Sequence, residues 1–153
     1  MAHRIPPAPL VIVGAGTLGL IAATAAREAG YSGRIVHVNP DSALAPALGT
    51  PALHRYRTAR VDLVLGALTE DVDTARRIVH VRGHGDLGYE RLVVDPGVLG
   101  SGARRDDLQS ASGVEVLRTP TDAEALGAVR RLLAQHGVSD AAERPRAPAG
   151  RAG

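Results

Sequence analysis

The sequence predicts an α/β fold built on a mostly parallel sheet, and three adjoining segments carry that prediction. Pro9 to Val13 is a short apolar, β-branched run, the pattern of a strand buried on both faces. It ends in Gly14, after which Thr17 to Ala29 is rich in Ala and Leu and stops at Gly30, a residue free to take the left-handed conformation that ends helices. Past a turn at Tyr31, Ser32 and Gly33, Arg34 to Val38 is a second strand, ended by Asn39, Pro40 and Asp41 because proline cannot extend a ladder. Strand, helix and strand make one βαβ unit with an expected right-handed crossover.

Composition bounds what such a unit can do. The 153 residues suffice for one domain with a core, but not for the two nucleotide domains that a flavoenzyme using NAD(P)H normally needs. With no Phe, no Trp and 3 Tyr, the core must be aliphatic. All 18 basic residues are Arg, yet 16 acids leave a net charge of only +2, which argues against a nucleic-acid partner. The absence of cysteine excludes a disulfide framework, a thiolate metal site and a redox dithiol, so any electrons moved here need a bound cofactor. No apolar run approaches the roughly 20 residues of a membrane helix. The first nine residues hold no apolar core of a secretory signal, so a cytoplasmic protein is expected, away from membranes.

Further along, Ser42 to Ala59, with Pro46 and Pro51, reads as a loop holding at most one short helix. Short strands follow around Val61 to Leu65, Leu68 to Val72, Arg76 to Val81 and Arg91 to Val94, with a turn at Gly83, His84, Gly85 and Asp86 between the last two. These read as a β-meander that returns to the main sheet. Val114 to Leu117 is a last strand and Thr121 to Gln135 a helix, opened by the capping-box pair Thr121 and Glu124. A single domain is expected over residues 9–136, followed by a disordered Pro-, Ala- and Arg-rich tail over 137–153, too poor in apolar surface to offset the entropy of ordering it.

The chemistry-bearing motif lies between the first strand and helix. Gly14, Ala15, Gly16, Thr17, Leu18 and Gly19 form a G-x-G-x-x-G. Gly14 permits the turn, Gly16 lets the backbone approach a pyrophosphate, and Gly19 lets the helix pack closely on the sheet, while the helix N-terminus presents amides and positive dipole to phosphate. Such a site needs an acid about 20 residues on to hold ribose hydroxyls, and Asp41, beside Asn39 at the end of strand two, stands within that reach. The expected fold is therefore a Rossmann-like three-layer FAD/NAD(P)-binding fold with a parallel sheet and an inserted β-meander. Two plainer readings stand beside it: glycines that serve only turn and packing, and an Asp41 that is only a turn residue or helix cap.

With these segments in view, the chain resembles the ferredoxin reductase-like branch of FAD-dependent pyridine-nucleotide oxidoreductases, the putidaredoxin and rubredoxin reductase type. The stretch from Arg27 through Gly30, Tyr31, Gly33, Arg34 and Ile35 is similar to that family's "R-x-x-G-y-x-G-r-I". Tyr89 to Val94 is similar to its "Y-D-x-L-V-h", and Val114 to Thr119 with Asp122 and Ala123 to its "G-V-h-x-L-R-T-x-x-D-A". The resemblance runs from about residue 9 to 136. It implies FAD at Gly14, Gly16, Gly19 and Asp41, although the same residues by themselves would also suit NAD. It implies too a hydride passing from NAD(P)H to the flavin and electrons leaving to an iron–sulfur protein.

The departures lie at the flavin end. The family's "P-Y-x-R-P-P-L-S-K" loop reads here as Pro46 to His54, with the Arg, Ser and Lys replaced. Its "A-T-G" turn becomes Asp95, Pro96 and Gly97, keeping the glycine and adding a carboxylate. The sequence ends before the family's second glycine motif, so a truncated N-terminal FAD-binding segment is expected, with no catalytic acid or base to name and no independent turnover. The partner expected is a redox protein or a complementary oxidoreductase subunit. The alternatives are a non-catalytic dinucleotide-binding module, a split subunit and a degenerate fragment without redox activity.

Other constellations carry less. His80, His84 and Asp86 suggest a metal cluster, but a solvated hairpin turn explains them more simply, and no metal is expected. His54 and Tyr56 are candidates to stand near the flavin, with ordinary loop residues the commoner reading. Arg104–Arg105 and Arg130–Arg131 are candidates to meet an acidic redox partner, against the plainer reading of solvated surface.

Overall fold

In a computed structural model, residues 8–41, 49–100 and 105–135 are described, with backbone alone at 49–53, 105–106 and 135. The chain runs β1 (Leu10–Val13), α1 (Leu18–Glu28), β2 (Ile35–Asn39), α2 (Gly49–Thr58), β3 (Val61–Leu65), β4 (Thr69–Asp73), β5 (Ile78–Val81) and β6 (Gly85–Gly88). It continues through β7 (Arg91–Val94), a 3-10 turn (Pro96–Val98), α3 (Arg105–Ser110), β8 (Val114–Val116) and α4 (Asp122–Gln135). One sheet has five parallel strands in the order β3-β2-β1-β7-β8, and a second has β4, β5 and β6 in antiparallel order.

The apolar run of the first strand is explained by its place. Each residue of β1 pairs on both sides, Leu10 with Ile35 and Arg91, Val13 with Val38 and Val94, and all four are buried. Leu10 and Ile12 face one layer, in which Ala22, Ala23 and Ala26 of α1 meet Ala125, Ala128, Val129 and Leu132 of α4. Val11 and Val13 face the other, formed with Val72, Val79, Leu92, Val94 and Leu108 under the antiparallel sheet. Helices, parallel sheet and small sheet are the three layers of a Rossmann-like fold. The alanines let α1 and α4 approach closely, which is how a chain without Phe or Trp fills this core.

Arg27 accounts for the arginine of the helix-to-strand motif. From the last turn of α1 its guanidinium donates to the carbonyls of Ala59 at 2.8 Å, Tyr31 at 2.9 Å, Gly33 at 2.7 Å and Arg60 at 3.2 Å. It thereby ties the α1–β2 turn to the α2–β3 turn. Gly30 ends the helix at φ +98, and the Tyr31 amide reaches back to the Ala26 carbonyl at 2.9 Å.

Several expectations need correction. Val61 to Leu65 belongs to no meander: it is a parallel edge strand on β2, from Ile35 opposite Val61 to Asn39 opposite Leu65. A parallel neighbour needs a crossover, and α2 supplies it from the stretch that reads as loop. Pro51 misleads there because it lies in the first turn of α2, where a missing N–H costs nothing. Gly85 and Asp86 are strand residues of β6, paired with Val81 and His80. The meander is thus β4, β5 and β6, while β7 lies beside β1. The helix α3 and the 3-10 turn were not foreseen. At α4, Thr121 Oγ1 accepts from the Glu124 amide at 3.2 Å, one half of the capping box. The tail over 137–153 lies outside the described residues. Among the described residues no helix is long and apolar enough to cross a membrane.

Candidate functional site

The glycine turn stands at the carboxyl end of β1, where the Gly14 amide still bonds to the Val38 carbonyl at 3.1 Å. Its glycines meet three different surroundings. A Cβ on Gly14 would stand 3.0 Å from Leu18 Cδ1 and 3.7 Å from Asp95 Cβ. Gly16 has φ +63 with nothing within 4 Å of an added Cβ, so the backbone faces open space at the turn's crest. Gly19 packs against the His37 imidazole of β2, which would overlap any side chain there. Ala15, Gly16 and Thr17 are half-buried, while Leu18 and Gly19 are buried in the first turn of α1. Thr17 makes no side-chain cap to α1 and the first turn itself holds no acid.

The end of β2 adjoins this turn. Asn39, 1% exposed, donates from Nδ2 to the Gly16 carbonyl at 3.5 Å and accepts the Asp41 amide on Oδ1 at 2.9 Å. The Asp41 carbonyl accepts from the Gly66 amide at 2.6 Å, and Asp41 itself is exposed. Asp41 and the glycine turn therefore share the carboxyl edge of the sheet, where ligands of open α/β sheets bind.

Asp95 follows β7 on the same edge. Its carboxylate accepts the Gly97 amide at 2.9 Å, capping the 3-10 turn, and a Cβ on Gly97 would lie 3.2 Å from Asp95 Oδ1. Gly97 is exposed and Asp95 is buried. The aspartate that departs from the family's "A-T-G" thus stands beside Gly14 with one oxygen already committed to backbone.

Below the turn lies a pair that sequence reasoning left unconnected. His37 is fully buried, and its Nε2–H donates to the Gly14 carbonyl at 2.8 Å; a carbonyl can only accept, which assigns the tautomer. Nδ1 then accepts from the Tyr56 hydroxyl at 3.3 Å, with the rings stacked 6.0 Å apart. Burial holds the His37 pKa below its ordinary value despite the bond to Gly14, and pushes Tyr56 up to about 12 against the opposing bond from the Leu20 backbone. Tyr56 is therefore no flavin-facing loop residue: it points inward from α2 against Leu20. The available signal was a histidine in the middle of the buried run Ile35 to Val38, a position where only a satisfied imidazole is tolerated.

The remaining candidates disperse. His54 is exposed on α2. His80 Nδ1 pairs with Asp86 Oδ1 at 2.7 Å across β5 and β6, and that bond, with Asp71 and Asp73 nearby, raises the His80 pKa. Among the described residues no three His, Cys, Asp or Glu are grouped to hold a metal. Arg131 pairs with Glu115 at 2.9 Å. A cavity of 610 Å³ lined by Pro9, Gly33, Arg34 and Gly88 lies at the amino ends of the strands, away from the glycine turn.

Over 137 residues the chain is 31% identical to the ferredoxin–NAD(+) reductase component of the biphenyl dioxygenase system of Paraburkholderia xenovorans (strain LB400). This stretch is ferredoxin reductase-like. The ferredoxin reductase likeness covers 76% of this chain, which spans 32% of the length of that relative. No family model matches the chain. Among solved structures, the covalent putidaredoxin reductase–putidaredoxin complex aligns at 23% identity and TM-score 0.49, over 60% of this chain and 26% of that one. A ferredoxin reductase from Rhodopseudomonas palustris aligns at 20% identity and TM-score 0.47, over 80% of this chain and 34% of that one.

Proposed function

We propose that this chain binds the ADP moiety of FAD at the Gly14–Gly19 turn, as the FAD-binding domain of a ferredoxin reductase-type oxidoreductase, over residues 9–136. The observation that carries the reading is Gly16: it holds a positive φ with open space above it, just before a helix whose first turn holds no acid and whose Thr17 makes no side-chain cap. The amides of Ala15 to Gly19 would hold the pyrophosphate and Asp41 the ribose hydroxyls, with Asn39 fixing the Gly16 carbonyl and Gly97 bordering the site. Bound FAD would supply the electron chemistry, taking a hydride and releasing electrons singly. The chain's own residues bind and orient it. A ferredoxin-type protein is the partner this reading implies, and the cytoplasm its compartment.

Asp95 favours a second reading, dinucleotide binding without redox turnover. A carboxylate beside Gly14 opposes the negative charge that a flavin gains when it is reduced to its anion.

The test is to purify the chain with FAD, desalt it and record the visible flavin absorbance beside Gly16→Val. Flavin retained by the parent and lost by a folded variant supports the site, and reducing the bound flavin with dithionite then separates the two readings: flavin that stays bound when reduced fits the oxidoreductase-type domain, and flavin released on reduction fits binding without redox turnover. Flavin retained by neither, with both folded, overturns FAD binding by this chain.

A further inference from the structure

Gly14 and the first turn of α1 are joined by a second route besides the backbone. Tyr56 packs against Leu20 in the first turn of α1, its hydroxyl donates to His37 Nδ1, and His37 Nε2–H donates to the Gly14 carbonyl. Both nitrogens of His37 are engaged, and the two residues come from elements, β2 and α2, that lie outside the glycine motif. An aliphatic side chain at position 37 would fill the core without the desolvation that an imidazole suffers, and would not need a polar partner. Gly19 is glycine because this ring is there. The polar pair therefore serves something other than packing.

We propose that His37 and Tyr56 are positioning residues of the dinucleotide site, bracing Gly14 against the first turn of α1 so that the amides facing the pyrophosphate are preorganised before the ligand arrives. This rests on the reading of the turn as an ADP site. A braced turn loses less freedom when phosphate binds, so the brace is read out as affinity.

The experiment measures ADP binding by calorimetry on the full chain and on Tyr56→Phe, His37→Leu and His37→Gln, with melting curves to confirm folding. Tyr56→Phe removes one hydroxyl from a folded core, and His37→Gln keeps an N–H able to reach the Gly14 carbonyl. Expected is a loss of about five- to tenfold in affinity for Tyr56→Phe and His37→Leu, the worth of one net hydrogen bond, with His37→Gln closer to the parent. The 15N imidazole shifts should show His37 neutral and protonated on Nε2. Folded variants that bind ADP as the parent does, or a proton on Nδ1, overturn the proposal and leave the ADP site standing. A folded parent that binds no ADP overturns the site, and the positioning role with it.

Discussion

The His37 imidazole occupies the space that a side chain on Gly19 would need. The third glycine of the motif is thus fixed by a specific residue of β2 rather than by helix–sheet spacing in general. Because His37 is held at both nitrogens, it cannot swing aside. Gly19→Ala should destabilise the fold by about 2 kcal/mol or more in urea denaturation. Adding His37→Ala should recover part of that loss, a coupling of about 1 kcal/mol or more in the double-mutant cycle. Additive effects would show that the ring and Gly19 do not compete for space.

Arg27→Ala should cost about 2–4 kcal/mol, since it frees four carbonyls at two turns, some of them partly buried. Arg27→Lys should restore less than half, because an ammonium on a flexible stem cannot reproduce the planar fork. Chemical denaturation of both variants checks this, and equal stability of Lys and Arg would refute the fork argument.

The two perturbed histidines predict opposite pH responses. For His37, folding lowers the pKa, so below the unfolded value of 6.5 the unfolded state binds a proton that the folded state refuses. Its contribution is steady above pH 6.5 and is lost as pH falls from there toward the folded pKa, at up to about 1.4 kcal/mol per pH unit. His37→Gln should flatten that slope in denaturation curves taken between about pH 5 and 7. An unchanged slope would place the titration elsewhere.

For His80 the sign reverses. Asp86 raises its pKa, so the stabilisation is complete below 6.5 and lost as pH rises through the folded value. The pair is solvent-exposed, and the effect should be small and shrink with salt. Proton NMR titration should place His80 above 6.5 in the parent, and Asp86→Asn should bring it back down. Titration at the ordinary value in both would dissolve the pair.

The turn and its flanking elements were legible because their signals are local. A β-branched run, a glycine where the chain must turn and a helix stop at Gly30 each act within a few residues, and they place β1, α1 and β2 within one residue or so of the structure. The arginine of the helix-to-strand motif was visible too, but its four carbonyl partners were not, since two of them lie beyond α2. The second crossover was hidden because prolines masked α2, and with it the parallel pairing of β3.

By itself the sequence determined a parallel α/β domain, its glycine turn and the ferredoxin reductase likeness. Only the tertiary structure decided which residues stand beneath that turn. His37, Tyr56 and Gly19 come from three separate elements, and their meeting depends on sheet register and on the seating of α2, neither of which any local pattern encodes. The same holds for Asp95: its identity is read from the chain, but that it lies beside Gly14 follows from β7 pairing with β1, a contact between segments some eighty residues apart that hydrophobic burial selects and periodicity cannot name.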